Sequence, residues 1–376
     1  MKRNQEPFIQ NDLKKKMIFL VGPRQTGKTW LAKNLLSSKS VYLNYDRLQD
    51  RKIIESESWL EDKTNLLVLD ELHKMPQWKN YLKGIYDTKP AHLSILVTGS
   101  ARLDLFKQTG DSLAGRYLTH HLFPLSLKEL LDSPFEGDIE RLMNRGGFPE
   151  PFLAENDFEV DRWRNQYIDS LVREDILDYE TIENLKSIRL ILELLQQRVG
   201  SPISYQSISR DVALSPVTVK KYIHILEALY IIFKVTPYSQ NIARSLLKEP
   251  KIYFFDTGLV VKDEGKRFEN LIALHLLKHV QTQNDIKGTQ KSLHYLRTKE
   301  QLEVDFCITD KKGPELIPEL MIEAKTADDS LHKSLKQFHA KYKIPGKQVV
   351  LHLKRERHDS GLDIVSAKSF LADLFL

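Results

Sequence analysis

GPRQTGKT at positions 22–29 leaves few choices for the fold around it. It follows the apolar run Met17-Ile18-Phe19-Leu20-Val21 and precedes Trp30-Leu31-Ala32-Lys33-Asn34-Leu35-Leu36, whose apolar spacing is helical. The expected order is buried strand, glycine loop, helix. Gly22 and Gly27 permit a tight loop whose backbone N–H groups converge, and converging N–H groups suit phosphate. Lys28 supplies positive charge for the β- and γ-phosphates, the Thr29 hydroxyl can ligate Mg²⁺, and the helix N-terminus adds partial positive charge. Gly22, Pro23, Arg24, Gln25, Thr26, Gly27, Lys28, Thr29 and Trp30 are the expected nucleotide contacts, with ATP and Mg²⁺ as cofactors.

About forty residues on, Asn65-Leu66-Leu67-Val68-Leu69 reads as a buried parallel strand that ends in Asp70-Glu71. A carboxylate at such a strand end can hold Mg²⁺ beside the triphosphate, and a following Glu can polarise the attacking water. Asp70 is therefore assigned to the metal and Glu71 to the general base. A third apolar run, Ser94-Ile95-Leu96-Val97-Thr98, leads into Gly99-Ser100-Ala101-Arg102. Arg102 and Arg116 are candidate arginine fingers, acting in cis or from a neighbouring subunit; each fits a surface ion pair equally well.

At 376 residues the chain suggests more than one domain. Its single cysteine, Cys307, leaves no intrachain disulfide and no cysteine-based zinc site. The segment MKRNQEPFIQ lacks an apolar h-region, and no apolar run approaches the ~18 residues that span a bilayer. A cytoplasmic location without a membrane partner is expected. Residues 1–184 carry 26 Lys and Arg against 29 Asp and Glu, whereas residues 185–376 carry 30 against 22. The basic second half suits a polyanion such as DNA, and equally a set of solvated lysine faces.

Gly146-Gly147 with Pro149 and Pro151 is a strong breaker cluster, so the nucleotide domain is expected to cover 1–150. Residues 158–179 and 182–198 have helical periodicity and open a helical region over 151–245. Within it, a short helix, a turn near Ala213-Leu214 and a Ser215-capped helix with Pro216 in its first turn make a helix-turn-helix. Val219, Tyr222, Ile223 and Leu226 are its expected buried stripe, and Leu229–Tyr238 is expected to form a hairpin-like wing. Thr218, Lys220, Lys221 and Lys234 are the DNA contacts if the module reads DNA; the pattern alone fits a protein-packing module too.

Residues 246–376 carry a helix opened by Arg267-Phe268-Glu269-Asn270, a hairpin over 293–308 containing Asp305, and a strand delivering Glu323-Ala324-Lys325. Glu323 and Lys325 are two apart on a strand and share a face. Glu269, Asp305 and Glu323 could hold a second Mg²⁺ against a scissile phosphate while Lys325 orients water. The same strand positions equally fit a structural ion pair.

The order of elements resembles the PD-(D/E)xK nuclease core, although Val304 stands where that motif's proline would be. The whole chain resembles prokaryotic AAA-type ATPases that join a P-loop domain to a C-terminal domain of unknown function. The motifs that carry the likeness are GPRQTGKT, LDELHK at 69–74, TGSARL at 98–103, LAGR at 113–116 and FPLSLKEL at 123–130. GGFPEP at 146–151, YFFDTGLV at 253–260, RFEN at 267–270, EVDF at 303–306 and EAK at 323–325 continue it.

The resemblance implies an α/β fold: a parallel-sheet P-loop ATPase domain, a helical and winged-helix middle, and an α/β PD-(D/E)xK-like domain. It implies that the 94–98 strand lies between the two motif strands, so that Thr98 or Ser100 senses the γ-phosphate. ATP binding with hydrolysis follows from it, and a homo-oligomer is expected, with a ring as one form. Three functions stay open: a DNA-associated ATPase, an ATP-gated Mg²⁺-dependent nuclease, and a nucleotide switch with a degenerate nuclease fold.

Overall fold

Alternate residues of the first apolar run face opposite ways, and both sets are buried. Met17, Phe19 and Val21 join one core cluster, Ile18 and Leu20 another. A strand apolar on both faces needs a layer on each side, which is the arrangement of a parallel sheet between helices. The computed structural model, which describes residues 2–59, 64–99, 113–171, 185–239, 249–298, 300–328 and 330–375, has this architecture in its N-terminal unit.

Five parallel strands, β1 (Met17–Val21), β2 (Ser40–Asn44), β3 (Leu66–Asp70), β4 (Ser94–Thr98) and β5 (Tyr117–His121), lie in the order β2-β3-β4-β1-β5. The 94–98 strand therefore runs between the two motif strands, as expected. One face packs on the Leu48–Glu55 and Trp78–Thr88 helices through Ile54, Trp78, Leu82 and Ile85. The other packs on Glu6–Leu13 and Lys28–Asn34 through Ile9, Leu13, Leu31 and Ala32. Each of these apolar side chains contributes about 1.5–3 kcal/mol when fully buried.

Compact units divide at Phe123/Pro124, earlier than the break expected at 150. Residues 124–131 belong to the second unit because their polar groups are satisfied there. Ser126 and Glu129 make a capping box for the Leu127–Leu131 helix. The buried Glu129 also meets the buried Lys278 at 2.5 Å, and the Leu127 N–H donates to His275 Nε2 at 2.9 Å. The glycine pair at 146–147 is not a linker. A Cβ on Gly146 would lie 2.0 Å from Asp256 Oδ1, and one on Gly147 2.5 Å from Leu125 O. Asp256 is in turn paired with Arg164 at 2.8 Å, so GGFPEP and YFFDTGLV interlock.

The second unit (124–376) holds an eight-stranded mixed sheet in the order β12-β13-β11-β10-β9-β8-β6-β7. Its strands are β6 (Ile232–Pro237), β7 (Lys251–Phe254), β8 (Lys291–Arg297), β9 (Glu303–Lys312), β10 (Glu315–Lys325), β11 (Gly346–Val350), β12 (Arg357–Asp359) and β13 (Leu362–Ser366). Helices at Asp157–Ser170 and Leu185–Gln197 match the helical periodicity read across 158–198. Tyr205–Asp211 and Pro216–Ala228 form the two helices of the helix-turn-helix. Ser215 accepts the Thr218 N–H, and Val219, Tyr222, Ile223 and Leu226 are buried.

The wing differs from expectation. Residues 229–238 are not a hairpin of their own. Within them β6 is a single strand that pairs antiparallel with β7 and parallel with β8, joining the large sheet. The hydrogen-bonding capacity of β6 is thus used within this sheet. The Glu264–Lys287 helix, capped by Asp263 and ended by Gly288 at φ 66°, starts three residues before the Arg267 opening expected from the sequence. Among the described residues, no helix is long and apolar enough to cross a membrane.

Candidate nucleotide site and C-terminal charge cluster

The loop after β1 is shaped by its glycines. Gly22 sits at φ 133°, and a Cβ there would come within 2.5 Å of Leu122 O, so the chain passes where no side chain fits. Gly27 at φ 91° turns the loop into the Lys28–Asn34 helix. Three further hydrogen bonds close the loop: Thr26 Oγ1 donates to Pro23 O at 3.0 Å, and the buried Arg3 guanidinium donates to Thr26 O at 2.7 Å and Phe123 O at 2.6 Å. Arg3 has no local sequence signal, because its partners lie far along the chain.

Lys28 is buried and donates to Gly22 O at 3.0 Å and Pro23 O at 2.5 Å. Burial lowers its pKa to about 8, opposed by the charges of Glu71 and Asp70. A cation held this way beside converging loop amides fits an anionic phosphate chain. The Thr29 hydroxyl donates to Asp70 Oδ2 at 3.0 Å, which joins the loop to the end of β3. A hydroxyl and a carboxylate at that separation are the oxygen donors a Mg²⁺ ion bound with ATP would use. Asp70 also accepts from the Tyr42 hydroxyl at 2.6 Å, on β2, and from the Thr98 hydroxyl on β4. Thr98 is therefore a partner of the carboxylate. No sequence pattern singles out Tyr42, whose tie to Asp70 comes from β2 lying beside β3.

Glu71 has φ 56°, a left-handed conformation at the strand exit, and its N–H donates to Thr98 O at 3.1 Å. Strain of this kind concentrates at functional sites. Its carboxylate lies 3.6 Å from His73 and 3.8 Å from Lys74. Burial raises its pKa, opposed first by Lys74, and a raised carboxylate pKa makes a better proton acceptor in its ionised form. Arg24 and Gln25 lie on the loop, and Trp30 is 45% exposed on the following helix.

Ser100 and Arg102 lie outside the described residues. Arg116 does not reach this site. Its carbonyl accepts the Met17 N–H at the start of β1, whereas the loop leaves from Val21 at the other end, about 13 Å away along the strand. Its guanidinium forms two bonds to Asp87, at 2.8 and 3.0 Å. A finger role within the same chain is thereby removed.

In the C-terminal unit the structure does bring Glu269, Asp305, Glu323 and Lys325 together, with one residue the sequence did not single out. Lys251, 1% exposed, lies 2.8 Å from Glu303, 3.5 Å from Glu269 and 3.6 Å from Asp305. Burial lowers its pKa, but Glu269, Asp305 and Glu303 outweigh this and raise it overall. Glu323 pairs with Lys325 at 2.8 Å, and His332 Nδ1 lies 3.2 Å away without a hydrogen bond. Burial first and Asp305 second raise its pKa to about 7.

Within the expected Mg²⁺ set of Glu269, Asp305 and Glu323, the Lys251 ammonium stands beside two of the three carboxylates, Glu269 and Asp305. Among the described residues no three His, Cys, Asp or Glu side chains are arranged to hold a metal by themselves. On the helix-turn-helix, Lys220 and Lys221 are exposed, Thr218 is half-buried and shares a 2.8 Å hydroxyl bond with Ser215. Lys234 is not a free contact, since its Nζ is 2.5 Å from Glu227.

With this geometry in place, similarity to known proteins can be read residue by residue. Residues 14–131 match the AAA domain family. That stretch contains the loop, Thr29, Tyr42, Asp70, Glu71 and Thr98, and the match supports an AAA-type ATPase unit that binds nucleotide. Residues 136–267 and 264–370 match two domains of unknown function, DUF8612 and DUF4143.

An uncharacterized protein of Mycobacterium tuberculosis is 26% identical over 247 residues, covering 65% of this chain and 55% of the relative. One of Methanocaldococcus jannaschii is 24% identical over 342 residues, covering 80% and 75%. This chain therefore spans about half the length of the mycobacterial relative. Among solved structures, the Thermotoga maritima RuvB Holliday junction branch migration motor is 15% identical with a TM-score of 0.32, covering 65% of this chain and 92% of that one. Bacteroides Pif1 bound to ssDNA is 14% identical with a TM-score of 0.23, covering 44% and 49%. Likenesses this distant carry no functional argument.

Proposed function

We propose that this chain hydrolyses ATP at the 22–29 loop, binds DNA, and couples nucleotide turnover to DNA remodelling or processing. One observation carries the nucleotide half: the Thr29–Asp70 hydrogen bond, with Lys28 and Glu71 on either side of it. Lys28 and the loop amides would bind the β- and γ-phosphates. Thr29 and Asp70 would hold Mg²⁺, which supplies charge neutralisation at the phosphates when bound. Glu71 would accept a proton from the attacking water.

In a homo-oligomer, the expected working form, Arg116 would act as a finger only toward another copy, because it lies at the far end of β1 from the loop and is paired with Asp87.

The DNA half is supported by the exposed Lys220 and Lys221 near the start of a capped second helix, and by the basic excess after residue 184. The test is ATP turnover with single-stranded, duplex and branched DNA at low and high salt. Turnover is expected to rise with DNA, to fall back with salt, and to lose the response in Lys220→Glu/Lys221→Glu. Turnover indifferent to every DNA would assign the helix-turn-helix to protein packing instead.

A further inference from the structure

We propose that Lys251 is the resident cation of the C-terminal carboxylate cluster, in the place where the resemblance to a nuclease core implies Mg²⁺, and that this core binds no divalent metal. The proposal stands apart from the ATPase reading, because it concerns a different unit of the chain.

The argument rests on the oxygens, taken one at a time. Asp305 Oδ1 faces Lys251 at 3.6 Å, and its Oδ2 accepts the Ala324 N–H at 3.0 Å. Glu269 Oε1 accepts from the Tyr253 hydroxyl at 2.7 Å and faces Lys251 at 3.5 Å. Its Oε2 lies against Gly200, where an added Cβ would come within 2.5 Å of it. Glu323 Oε1 is held by Lys325 at 2.8 Å, and its Oε2 accepts the Asp305 N–H at 3.3 Å. Every carboxylate that a metal would need already has partners in the chain.

Lys251 cannot step aside easily. It is an end residue of β7, paired with Val235 on β6 and bridged to Pro202, and its side chain is almost fully buried. A divalent ion beside this buried ammonium would be repelled by it. Magnesium also demands several freely arranged oxygens, which this network does not leave. Lys251 has a second effect. It lies in the 136–267 match, whereas Glu303 and Asp305 lie in the 264–370 match, so its ion pairs tie β7 to β9 across the two matched regions.

The test is Mn²⁺ binding to the full chain without nucleotide, read from the loss of the free-ion electron paramagnetic resonance signal. Wild type and Glu323→Gln are expected to give the same signal, with no ion held at the core. Stoichiometric Mn²⁺ that disappears in Glu323→Gln would overturn the proposal. Melting supplies an independent arm. Lys251→Met leaves three neighbouring carboxylates without their cation and is expected to melt about 5–15 °C lower, or to fail to fold. A Lys251→Met chain that melts with wild type would also overturn it.

Discussion

The Thr29 hydroxyl donates to Asp70 Oδ2 across 3.0 Å and joins two motifs that lie 41 positions apart in the chain. Neither side chain is placed by its own neighbours. Thr29 is carried by the helix that the glycine loop starts, and Asp70 by the last residue of β3. Their meeting depends on β4 lying between β1 and β3.

Removing charge from this pair's surroundings should separate binding from turnover. Lys28→Ala is expected to abolish detectable nucleotide binding. Glu71→Gln keeps the shape and removes the base, so ATP should stay bound while hydrolysis falls by about 10²–10⁴-fold. Equilibrium binding and single-turnover hydrolysis check both. Turnover retained in Glu71→Gln would mean that another residue orients the water.

Tyr42→Phe tests the third hydroxyl on Asp70. The loss of one hydrogen bond to a charged group corresponds to about 1.5–3 kcal/mol, part of which water can replace. The expected result is a higher Mg²⁺ concentration for half-maximal ATP hydrolysis, with the protein still folded. Unchanged Mg²⁺ dependence would show that Thr29 and Thr98 hold the carboxylate without help.

Gly22→Ala should be costly at a position where conservative changes are usually mild. The new methyl meets Leu122 O, and φ 133° is disfavoured for any L-residue. A penalty of about 1–3 kcal/mol is expected, with weaker nucleotide binding. Denaturant unfolding read on the N-terminal unit measures it; a stability equal to wild type would show that the loop moves freely.

Acid should destabilise the C-terminal unit through its buried histidines. His275 accepts the Leu127 N–H on Nε2 and uses Nδ1 toward Leu271 O, so its buried ring is neutral with the proton on Nδ1. Burial first, with Lys278 adding to it, lowers its pKa to about 4. His279, also lowered to about 4 by burial, accepts the Phe375 N–H. A folded pKa below the unfolded value near ~6.5 gives stability that is full above ~6.5 and lost as pH falls toward 4. For His275 the loss is about 3 kcal/mol. Unfolding curves from pH 7 to 4 should show this slope, reduced in His275→Gln; a slope unchanged by that substitution would refute the assignment.

Much of the N-terminal site was legible because local rules encode it. Short continuous apolar runs announced β1 and β3, and the G-x-x-x-x-G-K-T spacing calls for a tight glycine loop between a strand and a helix. The Ser215 cap and the buried stripe at 219, 222, 223 and 226 follow from helical geometry in the same way. The wing was misread because residues 229–238 look alike whether they fold back on themselves or join a distant strand. For Arg116 the sequence leaves a finger and a surface ion pair equally open, because residue type says nothing about which end of a strand it occupies; the structure shows the pair with Asp87.

The sequence by itself determined that a strand, a phosphate-shaped loop and a helix stand at the start of this chain, with Asp70 and Glu71 at a strand end. Each of these is set by backbone geometry within a few residues. Only the tertiary structure decided that Tyr42 shares Asp70, that Arg3 clamps the loop, and that Lys251 rather than open space sits among Glu269, Glu303 and Asp305. Those relations are electrostatic and distant in sequence. They arise where burial makes an unpaired charge costly, so the fold brings a partner from wherever in the chain one can reach.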